Sequence, residues 1–204
     1  MSNNFIPLSA NELVKRINNI PKVELANLPT PLEFLPNISQ ELEINLFIKR
    51  DDCTGLAFGG NKTRHLEFIM HKAKIGDYDC VLTGAATQSN WCRQTVAAAN
   101  KLGLETFLVL VRGVKSNQMQ GNFLLYDVLG AQVDVVEGEN VEDIPEHLDR
   151  KYEELIKAGR KPLLIKGGFD INDSVLAGIS YANAMAELDF QMKENNFMAD
   201  HLIV

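Results

Sequence analysis

The 204 residues carry a formal net charge of −7 at neutral pH, and 46% of them are hydrophobic. A chain of this size can bury a core, and its acidic balance without a basic stripe argues against nucleic acid or an anionic membrane surface as a partner. Since no apolar run approaches the roughly 20 residues of a membrane span and the N-terminus lacks a signal-peptide pattern, we expect a cytoplasmic protein. The three cysteines form no CxxC pair, so we expect neither disulfides nor a metal site. The four histidines are scattered, and we expect each to be exposed or to have its hydrogen bonds satisfied.

The N-terminal segment of about 45 residues is expected to be irregular, because its prolines interrupt any long element. A first strand is predicted at residues 45–50, and a helix face follows from Leu66 to Ala73, ending at Gly76. Further strands are predicted at residues 79–84, 105–111, 131–138 and 161–168. The helices predicted between and after them have apolar faces at residues 92–99, 117–129, 148–156 and 181–188.

Strands that alternate with helices of this length predict an α/β fold with a parallel sheet and helices on both faces. Ligands of such sheets bind beyond the carboxyl ends of the strands, in the loops that follow them. The chain ends on DHLIV (200–204), which is typical of a buried strand. A buried strand normally continues into a turn and a helix, so we expect the chain to be truncated or incomplete.

The segment TGAATQSNWCRQTVAAA (83–99) runs from the end of a predicted strand into a helix. Ser89 or Asn90 is predicted to cap that helix, and the free N–H groups at a helix start attract carboxylates or phosphates. Simple capping without a ligand explains the same residues equally well. Neither the GxxxxGK[ST] nor the GxGxxG spacing is present, which counts against a nucleotide-binding domain.

The segment GGNKTRHLEF (59–68) places Lys62 next to the predicted start of a helix. The helix dipole disfavours an ammonium there and lowers its pKa, and a lysine of depressed pKa can act as a nucleophile or base, including Schiff-base formation. The glycines would let the backbone approach a flat ligand closely. The alternative interpretation is a solvated lysine after a glycine turn.

Three segments occur in order along the chain: LPTPLEFLP (28–36), LFIKRDDCTGLAFGGNKTRHLEF (46–68) and GAATQSNWCRQTVAAA (84–99). Together they resemble the pyridoxal-phosphate enzymes of the tryptophan-synthase-β type, which have fold type II. Within that family the chain is most similar to the group of D-cysteine desulfhydrases and aminocyclopropane-carboxylate deaminases. The resemblance runs over the whole chain but covers the N-terminal part of the family pattern, before its phosphate-binding loop.

The resemblance implies a role for each matching residue. Lys62 would bind pyridoxal 5'-phosphate covalently and later move the α-proton of a small amino-acid substrate. Asn61 would support the cofactor, and Asn90 would bond its phenolic oxygen. Ser89 would bind the substrate carboxylate or assist proton transfer, Gln88 would line the substrate side, and Asn90 would also lie against the substrate. Trp91 departs from the histidine or glutamine of relatives, and it either reshapes the pocket wall or packs on the first helical turn.

The resemblance also implies an activity and a domain organisation. The expected reaction is that of a D-cysteine desulfhydrase, a β-elimination to pyruvate, ammonia and sulfide. The alternatives are an aminocyclopropane-carboxylate deaminase, and a truncated, non-catalytic fragment or pseudo-enzyme. Residues 1–75 would begin a large cofactor-binding domain, residues 76–172 would form a small α/β domain, and residues 173–204 would start the rest of the large domain. A homodimer is expected.

Overall fold

The computed structural model describes residues 8–112, 118–136 and 141–204. In chain order the elements are α1 (Ala10–Ile17), β1 (Leu32–Phe34), α2 (Pro36–Leu42), β2 (Phe47–Lys49), α3 (Lys62–Ile69), α4 (His71–Ile75), β3 (Cys80–Ala86), α5 (Asn90–Lys101), β4 (Glu105–Val111), α6 (Asn122–Val128), β5 (Gln132–Val136), α7 (Ile144–Lys157), β6 (Pro162–Leu164) and α8 (Ile171–Glu194). No helix in these ranges is long and apolar enough to cross a membrane.

The strands β3 to β6 form a four-stranded parallel sheet in the order β5-β4-β3-β6. Cys80 lies opposite Glu105 of β4 and opposite Pro162 of β6, and Phe107 of β4 lies opposite Gln132 of β5. Parallel neighbours require a crossover connection, and the helices α5, α6 and α7 supply it. The predicted alternation of strands and helices is therefore confirmed.

Helices cover both faces of this sheet, as predicted. Successive strand residues point to opposite faces, so Val81 packs with α3 and α5 whereas Leu82 packs with α7. The same division runs along β4, where Leu108 contacts α5 and α6 and Val109 contacts α7. Each such side chain, fully removed from water, stabilises the fold by about 1.5–3 kcal/mol. The core is thus two apolar layers with the sheet between them.

The expectation of an irregular N-terminal segment was wrong in part. Helix α1 begins there because Ser9 caps it, accepting a hydrogen bond from the backbone N–H of Glu12 at 3.3 Å. Pro36 opens α2 at the first helical position, where its missing N–H costs nothing. Strands β1 and β2 pair antiparallel as a separate two-stranded sheet. The prolines limit the length of these elements rather than prevent them.

Several predicted bounds differ from the structure. Helix α3 begins at Lys62, next to the predicted start, but the predicted strand at 161–168 stops at Leu164 because Gly167 adopts φ +57° in a short 3₁₀ turn. The predicted helix at 117–129 is observed from Asn122, and residues 117, 137 and 138 of two predicted elements lie outside the described residues. The predicted strand at 200–204 is wrong, since those residues pair with no strand of the described chain.

Candidate active site

A cavity of about 420 Å³ lies at the carboxyl end of β3, where Gly84 and Ala85 form part of its wall. This is the edge of a parallel sheet at which ligands are expected. Helix α3 contributes Lys62 and His65 to the lining, α5 contributes Trp91, and the loop after β6 and the first turns of α8 complete it. The cavity therefore brings together segments far apart in the sequence.

Lys62 is the first residue of α3, and its half-buried side chain lines the cavity. Burial lowers its pKa below the ordinary value of a lysine. Within the described part of the chain its ammonium has no hydrogen-bond or ion-pair partner, whereas Lys166 in the same lining pairs with Asp149 at 2.6 Å. An amine that is partly desolvated and unpaired is biased towards its neutral, nucleophilic form.

The loop before Lys62 depends on two glycines. Gly59 has φ +72°, and a Cβ added there would lie 1.7 Å from the carbonyl oxygen of Asp52. Gly60 has φ +127°, and its Cβ would lie 2.5 Å from Nε2 of Gln94 on α5. No side chain fits either position, so the backbone of the loop approaches α5 closely enough to set where α3 begins.

The same loop contains two other residues in the left-handed region, Ala57 (φ 45°) and Phe58 (φ 67°). An L-residue in that region costs roughly 1–2 kcal/mol. The conformation is held by hydrogen bonds from the N–H of Gly60 to Asp51 O (3.0 Å) and from Thr54 Oγ1 to Gly60 O (2.9 Å). The turn next to Lys62 is therefore strained and fixed by its neighbours.

His65 corrects the expectation that every histidine is exposed or satisfied. It is 7% exposed, lines the cavity one helical turn after Lys62, and its Nε2 has no hydrogen-bond partner within the described residues. Burial, and secondarily the charge of Lys62, lowers its pKa to about 4, against a smaller opposing effect of Asp51. The imidazole is therefore neutral at neutral pH. The i, i+3 spacing from Lys62 was the sequence signal that places it on the same helix face.

Arg64 anchors the helix that carries Lys62. Its guanidinium is 2% exposed and donates to both carboxylate oxygens of Asp51 at 2.8 and 2.9 Å, and to both of Glu187 on α8 at 3.0 Å. It also donates to Thr30 Oγ1 at 3.0 Å. Glu187 accepts further bonds from Lys49 Nζ (2.5 Å) and from the N–H of Thr30 (2.9 Å). This Arg64 network joins four separate segments of the chain.

The predicted residues at the start of α5 are tied to α6. Ser89 caps α5 as predicted, accepting from the N–H of Cys92 at 3.3 Å. Asn122 donates from its backbone N–H to Gln88 Oε1 at 3.0 Å and from its side chain to Asn90 Oδ1 at 2.8 Å. These three predicted residues do not line the cavity themselves, but Ala85 and Trp91 on either side of them do.

Asn61, the remaining predicted residue, precedes Lys62 and donates from Nδ2 to the hydroxyl of Tyr181 on α8. The ring of Tyr181 also contacts His65 edge-on, with the ring centroids 5.0 Å apart. Asn61 makes no side-chain cap bond to α3. The segment around Lys62 is thus held against α8 both at Tyr181 and at Glu187.

A family model described as "Pyridoxal-phosphate dependent enzyme" matches residues 23–204. A Pyrococcus horikoshii protein provisionally named 1-aminocyclopropane-1-carboxylate deaminase is 39% identical over 171 residues, which are 84% of this chain and 51% of that protein. D-cysteine desulfhydrase of Klebsiella pneumoniae is 36% identical over 179 residues, 86% of this chain and 53% of the relative. The crystal structure of an ACC deaminase homologue superposes with a TM-score of 0.79 at 36% identity, covering 88% of this chain and 53% of that one. The chain spans about half the length of these relatives.

Proposed function

Because this chain belongs to the family of pyridoxal-phosphate dependent enzymes, we propose that it acts as a lyase on a small amino acid, with Lys62 as the residue that binds the cofactor. The preferred substrate is D-cysteine, which would be cleaved with water to pyruvate, ammonia and sulfide. The observation that carries the proposal is Lys62 itself, which is half-buried in the lining of the cavity and has no hydrogen-bond or ion-pair partner among the described residues.

The residues of the cavity suit the cofactor. An aldehyde needs a neutral amine, and the lowered pKa of Lys62 increases the neutral fraction. The unpartnered Nε2 of His65 offers a hydrogen bond to a polar group of a ligand. Gly168 lines the cavity without a side chain, and a Cβ there would meet no atom within 4 Å, so a flat ring can approach its backbone.

When bound, pyridoxal phosphate supplies an electron sink that stabilises negative charge at the substrate's α-carbon. Lys62 would hold the cofactor through Nζ, and the same atom would take the α-proton of the substrate. Burial of Lys62 serves both steps, because a desolvated amine is less often protonated in advance. His65 stays neutral beside it and adds no positive charge.

The start of α5 is suited to anionic oxygens. Since Asn122 occupies Oδ1 of Asn90, the NH₂ of Asn90 is left to donate, which suits the phenolic oxygen of the cofactor or a substrate carboxylate. Ser89 accepts a bond from the N–H of Cys92, and we assign its hydroxyl to the substrate carboxylate or to proton transfer. Both ends of the Gln88 amide are bonded, to Asn122 N and to Gln120 O, so Gln88 serves the substrate side by fixing the loop.

Asn61 completes the proposed site. Its Nδ2 is directed to Tyr181, which leaves Oδ1 to accept a hydrogen bond from the cofactor side.

The proposal includes a division into two domains, with residues 1–75 and 173–204 in the cofactor-binding domain and residues 76–172 in the smaller one. A homodimer and a cytoplasmic location belong to the same proposal, the latter supported by the free Cys53, Cys80 and Cys92.

Two alternatives have their own support. Relatives named for aminocyclopropane-carboxylate deamination are as similar to the chain as those named for D-cysteine, so ring opening of that substrate to an α-ketoacid and ammonia is the second candidate. A non-catalytic fragment or pseudo-enzyme is the third, because the matches extend over about half of each relative.

The test is reductive labelling. The purified chain is mixed with pyridoxal phosphate, reduced with borohydride and mapped by mass spectrometry, with Lys62→Arg as the control. We expect a stoichiometric adduct on Lys62, and none on the exposed Lys74 used as an internal reference. Sulfide from D-cysteine and α-ketoacid from the cyclopropane substrate then distinguish the two activities. Equal labelling of Lys62 and Lys74 would refute the proposal, and selective labelling without either product would favour the non-catalytic alternative.

A further inference from the structure

Trp91 is held in the cavity wall by buried hydrogen bonds. Its indole Nε1 donates to Thr83 Oγ1 at 2.9 Å, and Thr83 Oγ1 donates to the carbonyl oxygen of Ile165 at 2.7 Å. The side chain of Thr83 is fully buried. If the indole turned away, the buried hydroxyl oxygen of Thr83 would lose its donor, and an unsatisfied buried polar group costs about 1–3 kcal/mol.

The loop after β6 closes on the other side of the ring. Gly167 adopts φ +57°, and a Cβ added there would lie 3.5 Å from Cε2 and 3.6 Å from Cζ2 of Trp91. The loop therefore passes beside the ring at a distance that a methyl group at Gly167 would fill, while the indole nitrogen is bonded to β3.

The cavity is small for what it must hold. Its volume of about 420 Å³ lies in the lower part of the range of ligand pockets, roughly 300–1,000 Å³. Under the proposed function the same space receives both the cofactor and the substrate. Trp91 has the largest side chain in the lining, and its hydrogen bond to Thr83 keeps it there, so it limits the room left for a substrate side chain.

We propose that Trp91 determines substrate size: its indole, bonded to Thr83, admits amino acids with short side chains and excludes branched or aromatic ones. The inference rests on the proposed function, and it narrows the substrate class without naming one compound. The ring lines the cavity and also packs against the core beside α5, so its position agrees with both interpretations of Trp91 left open by the sequence.

Trp91 is the only tryptophan of the sequence, so its fluorescence reports on the cavity directly. Loading with pyridoxal phosphate is expected to quench the emission, by energy transfer to the adjacent cofactor. Binding to the loaded protein is then measured by calorimetry for D-alanine and D-phenylalanine, with the L-forms in parallel. We expect the dissociation constant of the aromatic ligand to exceed that of alanine by at least about tenfold.

Three variants separate the ring from its anchor. Trp91→Ala removes the wall and should lower the ratio of dissociation constants by about tenfold. Trp91→Phe keeps a flat ring but loses the N–H that Thr83 accepts, so its ratio should fall between those of the parent and Trp91→Ala. Thr83→Val keeps the indole but removes its acceptor, so its ratio should fall between the two. Adduct formation on Lys62 is measured in every variant as evidence of an intact site.

Each outcome bears on the inference. An unchanged ratio in Trp91→Ala with Lys62 still labelled would overturn it while leaving the proposed function in place. If Trp91→Ala does not bind pyridoxal phosphate, the Thr83→Val variant becomes the test. A ratio of dissociation constants equal to that of the parent would then overturn the inference. Absence of the Lys62 adduct in the parent would overturn the proposed function, and the inference with it.

Discussion

Replacement of Arg64 by methionine is the perturbation with the largest expected effect outside the cavity. The arginine side chain is 2% exposed and donates five hydrogen bonds, four of them to the carboxylates of Asp51 and Glu187. Removing one partner of a buried ion pair costs roughly 3–5 kcal/mol. Glu187 keeps its bond from Lys49 and Asp51 keeps its bond from Thr30, so we expect a loss near the lower end, about 3 kcal/mol.

The matched control is Arg16→Met. Arg16 also pairs with a carboxylate, that of Glu12 at 2.7 Å, but its side chain is 64% exposed. An exposed i, i+4 pair contributes about 0.3–0.5 kcal/mol. The two variants remove the same charge and the same side-chain type, so the difference between them measures burial and geometry rather than net charge.

The assay is urea unfolding followed by circular dichroism at neutral pH. With an m-value of about 2 kcal/mol/M, the Arg64 variant should unfold at a midpoint roughly 1.5 M lower and the control within about 0.3 M of the parent. Equal midpoint shifts in both variants would refute the conclusion that the Arg64 network holds α3 to α8. An unchanged m-value is required, because a changed one would report a different unfolded or native state.

The same network gives a pH dependence. Burial alone would raise the pKa of Glu187, but the bonds from Arg64 and Lys49 outweigh it and hold that pKa below the ordinary 4.5. A carboxylate with a lowered folded pKa stabilises the fold above its ordinary pKa, and the contribution is lost as the pH falls through the folded value. The stability difference between the parent and Arg64→Met should therefore shrink below about pH 4.5.

Three further predictions concern the surroundings of Lys62. Gly59→Ala should destabilise the protein far more than Gly103→Ala, since both have positive φ but an added Cβ meets no atom within 4 Å at Gly103; equal thermal shifts would contradict this. His65 has a folded pKa of about 4 against an ordinary 6.5, so stability should fall as the pH drops between these values, and His65→Gln should flatten that part of the profile. Asn122→Ala should speed amide hydrogen exchange in the first turn of α5 but not at the end of that helix. An equal change in exchange rate along the whole helix would contradict a role of Asn122 in holding the start of α5.

The sheet was predictable from the sequence because each of its elements carries its own local signal. The run ETFLVLV (105–111) coincides with β4, and Ser89 lies at the cap position that its side chain favours. Residues 200–204 had the composition of a strand, but a strand also needs a neighbour to pair with. The residue composition of a segment gives it a tendency to form a strand, but a strand forms only where a neighbouring strand can pair with it.

The candidate site was predictable to a smaller degree. Lys62 stood out through its glycines, and it lies at the helix start and in the cavity. The Arg64 network could not be read from the sequence, because Thr30 and Glu187 are 157 positions apart and neither stands in a recognisable motif. The unsatisfied state of His65 was hidden for the same reason, since burial depends on how α8 packs rather than on neighbouring residues.

The turn before Lys62 keeps Ala57 and Phe58 in a conformation that glycine would adopt at no such cost. At roughly 1–2 kcal/mol for each residue, the turn holds elastic free energy comparable to several ordinary hydrogen bonds. Phe58 is 76% exposed, so burial of its ring does not offset that cost. Because of this backbone strain, a change in the conformation of the turn costs less free energy than the same change in an unstrained loop with the same contacts. The turn before Lys62 is therefore the part of this segment whose conformation would release free energy if its hydrogen bonds were broken.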